Sequence, residues 1–358
     1  MKKILAIAMA FMALAAAGQT TTKLEAGKNN EYGLIYSLPK TLVDIVIETE
    51  TTVKTPGEFN NYARRYLNIT DAVRTPSQTS KVKSITLVPR GVADQDNRWT
   101  MQFKSGATPF LMLNEANVPV ALNTEDIPEQ AAIELPVAVA AQPTPLETPA
   151  ARQAVTQEMS QSASTSKRAE LAAQRIFELR DNRNDLISGQ AENTPPDGRS
   201  LQLALDNLSA QEAALTAMFA GTESSYTEVT TVTFDPTDED IANKVIARLS
   251  ATEGIVPADD LSGEPIYLSM HIAERGVLPK DDKGEEKKFP KGGVAYNIPG
   301  NARISIDFRD RTIADLNIAI AQLGVTFGLD PRLFTDKKAP AYLLLDPTTG
   351  AITTLGTK

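Results

Sequence analysis

The stretch TSKRAELAAQRIFELRDNRNDLISG, residues 165–189, and the stretch PPDGRSLQLALDNLSAQEAALTAMFAG, residues 195–221, decide the architecture. In the first, apolar side chains recur at Ala169, Ala172, Ile176, Leu179, Leu186 and Ile187, with Glu170, Arg175, Glu178 and Asp181 on the other face. That spacing is helical. Thr165 and Ser166 are candidate caps at its start, and Gly189 can take the left-handed conformation that ends a helix. Pro195-Pro196-Asp197-Gly198 sets a turn. A second helix restarts with Asp197 or Ser200 as cap, carries Leu201, Leu205, Leu208, Leu215 and Phe219, and closes at Gly221. Each helix is about 22 residues, about 33 Å long. So short a connection predicts an antiparallel helical hairpin over residues 166–221. Arg183 and Glu212 interrupt the two apolar stripes. Folding the pair about residue 193 or 194 puts Glu212 opposite Arg175 and Arg183 near Asp206, as register-setting ion pairs.

Both flanks of the hairpin read as β. On the N-terminal side, residues 19–123, a loose polar start runs to Asn30. Strands follow at 32–36 and 42–53, the second with Val43, Ile45 and Ile47 alternating against Asp44, Val46 and Glu48. A short helix after Pro56-Gly57 carries Tyr62, Ala63, Tyr66 and Leu67 on one face. A strand at 82–88, a turn at Asp94-Gln95-Asp96-Asn97, a returning strand at 98–103 and a hairpin at 110–122 complete this side. Residues 124–165 read as a Pro/Ala-rich linker, extended around Pro128, Pro136, Pro143, Pro145 and Pro149, with a helical run-in near residues 150–159. On the C-terminal side, residues 222–358, strands are expected at 226–234, 244–249, 265–272, 294–298, 303–308 and 342–345, with a charged loop at 279–291. Residues 312–323 fit a helix through Ile313, Leu316 and Ile320, and a strand through Leu316, Ile318 and Ile320; the strand is preferred. The fold class is therefore α+β, with two mostly antiparallel, sandwich-like β modules flanking a long antiparallel helical hairpin.

The two flanks resemble each other. Gly33-Leu-Ile-Tyr36-Ser-Leu38-Pro39 aligns with Gly293-Val-Ala-Tyr296-Asn-Ile298-Pro299, and Phe110-Leu-Met-Leu113-Asn114 with Tyr342-Leu-Leu-Leu345-Asp346, in the same order. A true duplication would place Pro39 and Pro299 at equivalent strand breaks and Tyr36 and Tyr296 in equivalent environments.

Lys2-Lys3 followed by the apolar run Ile4 to Ala17 has the form of a signal peptide, residues 1–18, cleaved before Gln19. The apolar run is too short to span a bilayer, and no later stretch is long enough for a transmembrane segment. The expected location is the periplasm or cell exterior of a Gram-negative bacterium. The absence of cysteine among the 358 residues excludes disulfides, thiol catalysis, cysteine-ligated zinc and a lipoprotein anchor. A net charge of −9 disfavours nucleic acid as a partner.

Motifs for chemistry are sparse. His271 is the single histidine, so a serine triad would have to use it; no Gly-x-Ser-x-Gly elbow supplies the nucleophile. Asp94, Asp96 and Asn97 begin like a calcium loop that lacks its glycine and closing glutamate. The acidic groups at Asp235–Asp240 and Asp281–Glu286 read as solvated loops. Among 45 acidic residues nothing selects a glycosidase pair. Trp99 with Tyr62 and Tyr66 could make a sugar-stacking platform, though core packing is the simpler reading. No catalytic, cofactor-binding or metal residue is assigned, and no cofactor is expected.

The pattern Ala169-x-x-Ala172-Ala173-x-x-Ile176-Phe177-x-Leu179-Arg180-x-x-Arg183 resembles an uncharacterised Bacteroidota envelope family catalogued as a domain of unknown function (number 4831). Pro196-Asp197-Gly198, Phe219-x-Gly221, Tyr296-x-Ile298-Pro299-Gly300, Gln322-x-Gly324 and Asp346-Pro347-x-Thr349-Gly350 are similar too. The chain departs from the pattern at Asn297, where a basic residue is expected, and at Leu323, where an aromatic is expected. The resemblance spans Tyr32 to the C-terminus and implies a compartment and an architecture, with no catalytic residues. The expected role is a non-catalytic exported scaffold with an envelope protein partner, leaning away from an enzyme. The alternatives are a glycan-binding module or a carbohydrate-active hydrolase with unidentified carboxylates.

Overall fold

The computed structural model describes residues 22–24, 34–101, 110–129, 132–193, 195, 198–290, 293–334 and 340–357. The signal-peptide reading of residues 1–18 lies outside them, as do Pro196 and Asp197. Along the chain these residues form β1 (Thr22–Leu24), β2 (Leu34–Thr55), α1 (Ala63–Leu67), β3 (Ser77–Met101), β4 (Leu111–Leu113), β5 (Pro119–Leu122), α2 (Pro149–Ala154), α3 (Gln157–Gln161), α4 (Thr165–Ser188), α5 (Gly198–Ala220), β6 (Thr222–Phe234), β7 (Ile241–Ser250), β8 (Gly254–Val256), β9 (Glu264–Glu274), β10 (Val294–Phe308), β11 (Arg311–Leu329), β12 (Ala341–Leu345) and β13 (Ile352–Thr357). The fold is α+β with antiparallel sheets. The strands make three of them, ordered β1-β4-β5-β12-β13, β11-β10-β9-β7-β8 and β3-β2-β6.

Two of the sheets mix strands from before and after the helices. β6 pairs along β2 from Val43↔Phe234 to Thr55↔Thr222, and β12 pairs with β5 at Leu343↔Leu122. The cause lies in β2. Val43, Ile45 and Ile47 are fully buried on one face, and Val46 and Glu48 are also buried on the other. A strand buried on both faces must sit centrally, with both edges hydrogen-bonded. One apolar cluster joins Val43, Ile45, Ile47, Ile85, Leu87 and Phe234 to Ile266, Leu268, Met270, Ile304, Ile306 and Ile320 across two sheets. A second cluster gathers Tyr36, Leu38, Leu111, Leu122, Phe334 and Leu343.

The polar run 94–97 does not reverse the chain. β3 continues through it, and the four residues bulge opposite Leu38 alone, between the pairs Ser37↔Arg98 and Pro39↔Ala93. The local turn exists, since Asp94 Oδ1 accepts the Asp96 N–H at 3.0 Å, but the long partner β2 holds both sides in line. The polar start is not wholly loose either, because Thr22–Leu24 pairs with Leu111–Leu113. Residues 312–323 are strand, within β11.

The sequence repeat recurs in the backbone. In the β10–β11 ribbon, residues 321–324 bulge opposite Pro299 alone, as residues 94–97 do opposite Leu38. Both prolines thus mark a shifted register, where a residue without an N–H costs the ladder least. Tyr36 lies opposite Trp99, and Tyr296 opposite Phe327. Their surroundings differ in depth: Tyr36 is buried and donates to the Ala295 carbonyl at 2.9 Å, while Tyr296 is half-buried. Burial raises the pKa of both hydroxyls. The β4–β5 and β12–β13 hairpins match as well, with Asn114 Oδ1 accepting the Ala116 N–H and Asp346 Oδ1 accepting the Thr348 N–H. The two ribbons clasp each other through their bulges. Gln322 exchanges two 2.8 Å hydrogen bonds with the Thr41 backbone, and Asn97 reaches Thr326. Asn297 Nδ2 donates to Pro39 O at 3.1 Å and Thr349 O at 2.9 Å.

In α4, Ala169, Ala172, Ala173, Ile176 and Leu179 are buried, whereas Leu186 is half-exposed and Ile187 is exposed. In α5 only Ala214, Leu215, Ala217 and Phe219 are buried. Ser164, one residue ahead of the expected caps, accepts the Lys167 N–H, and Gly189 ends the helix at φ 74°. Ser200 lies inside α5. Glu212 pairs with Arg180 at 2.6 Å and Arg183 at 2.5 Å, whereas Arg175 pairs with Glu178 in its own helix. The expected partners were off because the fold point of the pair lies further toward the C-terminus than residue 193 or 194. Gly57 admits the end of α5 closely, since a Cβ there would lie 2.3 Å from Met218 O. In the proline-rich stretch, residues 132–144 form neither helix nor strand apart from a single bridge, Val139↔Thr227. Pro145 and Pro149 then open a 3-10 turn and α2, where a proline needs no partner. Ala150, Ala154 and Met159 of this region are buried.

Candidate functional site

The outer face of the β11-β10-β9-β7-β8 sheet holds an organised polar surface. Core residues Ile266, Leu268 and Met270 of β9 and Ile304 and Ile306 of β10 point inward, so the alternate residues point out. Register sets them in rows. Tyr267, Asp307 and Thr312 are opposite one another, as are Ser269, Ser305 and Asp315, then His271, Arg303 and Asn317. Two cavities open on this face. One of about 720 Å3 is lined by Tyr267, Asp307, Thr312, Glu264, Arg309 and Asn243, among others. The other, about 340 Å3, is lined by Ser269, His271, Arg303, Ser305 and Thr312. Thr312 belongs to both. Left-handed residues at Asn243, Arg309 and Asp310 shape the ends of the flanking strands.

Most charges here are paired within the face. Arg303 Nε donates to both Asp315 oxygens, at 2.9 and 3.0 Å. Arg309 pairs with Glu264 at the rim. Thr312 Oγ1 donates to Asp307 at 2.6 Å. The guanidinium partners hold the Asp315 and Glu264 carboxyls below the usual range.

His271 is exposed, and its Nδ1 lies 3.0 Å from Asp240 Oδ2. Asp240 Oδ1 also accepts the Ile272 N–H at 2.7 Å. That backbone bond first, and His271 second, lower the Asp240 carboxyl. An aspartate on Nδ1 of a histidine that lines a cavity is half of a triad. The other half is not assembled: Ser269 Oγ accepts the Asn243 N–H at 3.1 Å.

The remaining sequence candidates are scattered. Trp99 stacks on Phe289 with ring centroids 5.0 Å apart, and Phe289 meets Phe327 edge-on. Tyr62 and Tyr66 belong to the separate cluster around α4 and α5, so no platform forms with Trp99. Asn97 is engaged by Trp99 Nε1 at 2.5 Å. Asp235 pairs with Lys40, and Asp281 Oδ1 accepts the Lys283 and Glu285 N–H groups. Among the described residues, no group of three or more acidic or histidine side chains is arranged to hold a metal. Asn297 and Leu323, where the family pattern is broken, are both buried. Sequence reasoning found His271 but missed the rows around it. The available signal was the outward alternation of Tyr267, Ser269 and His271, and of Arg303, Ser305 and Asp307.

Fold and face together define an α+β chain of antiparallel sheets with a polar, internally charge-paired outer surface. The chain belongs to the family described as "Domain of unknown function (DUF4831)", whose profile matches residues 32–353. No curated protein and no solved structure matches. No helix among the described residues is long and apolar enough to cross a membrane.

Proposed function

We propose that this is an exported cell-envelope protein, in the periplasm or at the cell exterior, that works by holding a protein partner rather than by catalysis. One observation carries the reading. Ile133, Leu135, Val137 and Val139 are 50, 50, 76 and 55% exposed. They fall at alternate positions of a stretch that forms a β-bridge at Val139, so in strand conformation they would share one face. The stretch lies beside an open sheet edge. Val139 and Thr227 of β6 exchange backbone hydrogen bonds of 3.1 and 2.9 Å, and β6 is an edge strand of its sheet. By alternation Val229, Thr231 and Thr233 also turn their backbone groups outward. Pro136 falls at a position facing away from β6, where a missing N–H does no harm.

A soluble protein seldom leaves four aliphatic side chains together in water, because burying each is worth about 1.5–3 kcal/mol. The occupant that fits is a strand of another envelope protein, adding to the β6 edge and covering the aliphatic face. The free halves of α4 and α5, acting as a projecting hairpin, would offer further apolar surface at Ile187 and Leu203, each largely exposed.

The test is a photo-crosslinker at position 137 in a C-terminally tagged chain, activated in intact source cells. One stoichiometric envelope protein, lost on Val137→Asp, is the expected product. Recovery of the chain alone, or capture that survives Val137→Asp, would overturn the proposal.

A further inference from the structure

The rows on the outer sheet face lie across the apolar core from β6, and nothing in the partner-holding role uses them. We infer that this face is a binding site for an uncharged oligosaccharide. Three features select that chemistry.

The first is charge. Arg303 is committed to Asp315, and Arg309 to Glu264. The groups without a cationic partner among those lining the larger cavity are the carboxylates of Asp307 and Asp310. The face is therefore neutral to weakly negative. It repels phosphate, sulfate, uronate and nucleic acid.

The second is preorganisation. The ion pairs hold planar guanidinium and carboxylate groups at fixed spacings, and rigid side chains lose little on binding. Carboxylates such as Asp307 accept from ligand hydroxyls, the arginine N–H groups donate to ligand oxygens, and the Ser269 and Ser305 hydroxyls can do either. Such a mixture of donors and acceptors matches a polyhydroxylated ring.

The third is shape. The cavities adjoin at Thr312 and run along β9 from Tyr267 to His271. Four residues of strand span about 13 Å, so the ligand is longer than a single ring. Tyr267, half-buried between Pro265 and Asp307 in the larger cavity, supplies the aromatic face on which a ring can lie. The protein-partner strip and this face are independent, and either can fail without the other.

The test applies the chain lacking residues 1–18 to an array holding neutral gluco-, manno- and galacto-configured oligosaccharides beside uronate-containing and sialylated ones. Hits are titrated by calorimetry at low and high salt. Expected is binding to one neutral class with an affinity that salt leaves unchanged. Tyr267→Ala and Asp307→Asn should each weaken it about tenfold or more while leaving the melting temperature near the parent's. Ser305→Val, with a more conservative effect on packing, provides the third readout if either of those variants melts early. Binding only to the anionic sugars, salt-sensitive binding, parental affinity in the variants, or an array without a hit would each overturn the inference. Crosslinking at position 137 should be unaffected by Tyr267→Ala.

Discussion

Asn297→Ala isolates the contact that ties the two repeated ribbons together. The Asn297 side chain is 4% exposed. Its Nδ2 donates to Pro39 O in one ribbon and to Thr349 O in the loop between β12 and β13, and its Oδ1 accepts from Thr326 Oγ1 at 3.0 Å. Alanine keeps the backbone bond from Asn297 N–H to Gly350 O and removes the other three. Thr326 is only half-buried and its oxygen still accepts from Asn97 Nδ2, so its loss is small. The two carbonyls are the larger cost. An orphaned buried acceptor costs about 1–3 kcal/mol, giving about 3 kcal/mol for the change. That is a large part of the 5–15 kcal/mol typical of a folded domain. Equilibrium urea unfolding measures it, with the midpoint falling and the slope unchanged. Asn297→Asp adds a sign. A buried carboxylate facing two carbonyl oxygens has its pKa raised, so the penalty is full above that value and eases as pH falls and the acid becomes a donor. A loss below about 0.5 kcal/mol for Asn297→Ala, well under the cost of one orphaned carbonyl, would refute the reasoning.

Glu212→Leu should keep or raise the melting temperature. The carboxylate is largely buried, whereas Arg180 and Arg183 retain enough exposure to be hydrated once it is gone; unfolding on this change would show that the pairs hold the helices together. Gly57→Ala should cost about 3 kcal/mol or more, because its Cβ would meet the Met218 carbonyl, backbone against backbone; a parental melt would contradict the close approach. Hydrogen bonds from Lys83 and Ser84 depress the Glu48 carboxyl. Its stabilisation is therefore complete above the unfolded value of about 4.3 and is lost as pH falls through the lower folded value. Glu48→Gln should flatten the acid limb of stability against pH, and an unchanged limb would exclude Glu48 as a contributor.

The helices were legible because a 3.6-residue period and two closing glycines are local signals. Their register was not, because a shift of a few residues in the fold point of the pair moves Glu212 from Arg175 to Arg180 and Arg183. The alternation of Val43, Ile45 and Ile47 announced β2, yet Pro39 read as a break. A shifted ladder lets the proline stay within the strand, and that shift depends on residues 94–97. The pairing of β2 with β6 and of β5 with β12 left no local trace, since register between distant strands is set by burial on both sides. The outer sheet face was illegible for the same reason. Tyr267, Ser269 and His271 look like any solvated alternation until β10 brings Asp307, Ser305 and Arg303 opposite them. Asp240 joins His271 from the loop before β7.

The mixing of early and late strands also has a consequence in time. As the chain is made from its N-terminus, β2 and β3 can pair at once, but the second edge of β2 waits for residues 222–234. The β4–β5 hairpin likewise waits for residues 341–345. Until then an apolar strand edge stands open, the condition in which chains pair with the wrong neighbour. Folding dominated by such distant contacts is slow. The newborn chain is thus most exposed to aggregation before its last residues arrive, and truncations near the C-terminus should be recovered as insoluble protein rather than as a smaller folded unit.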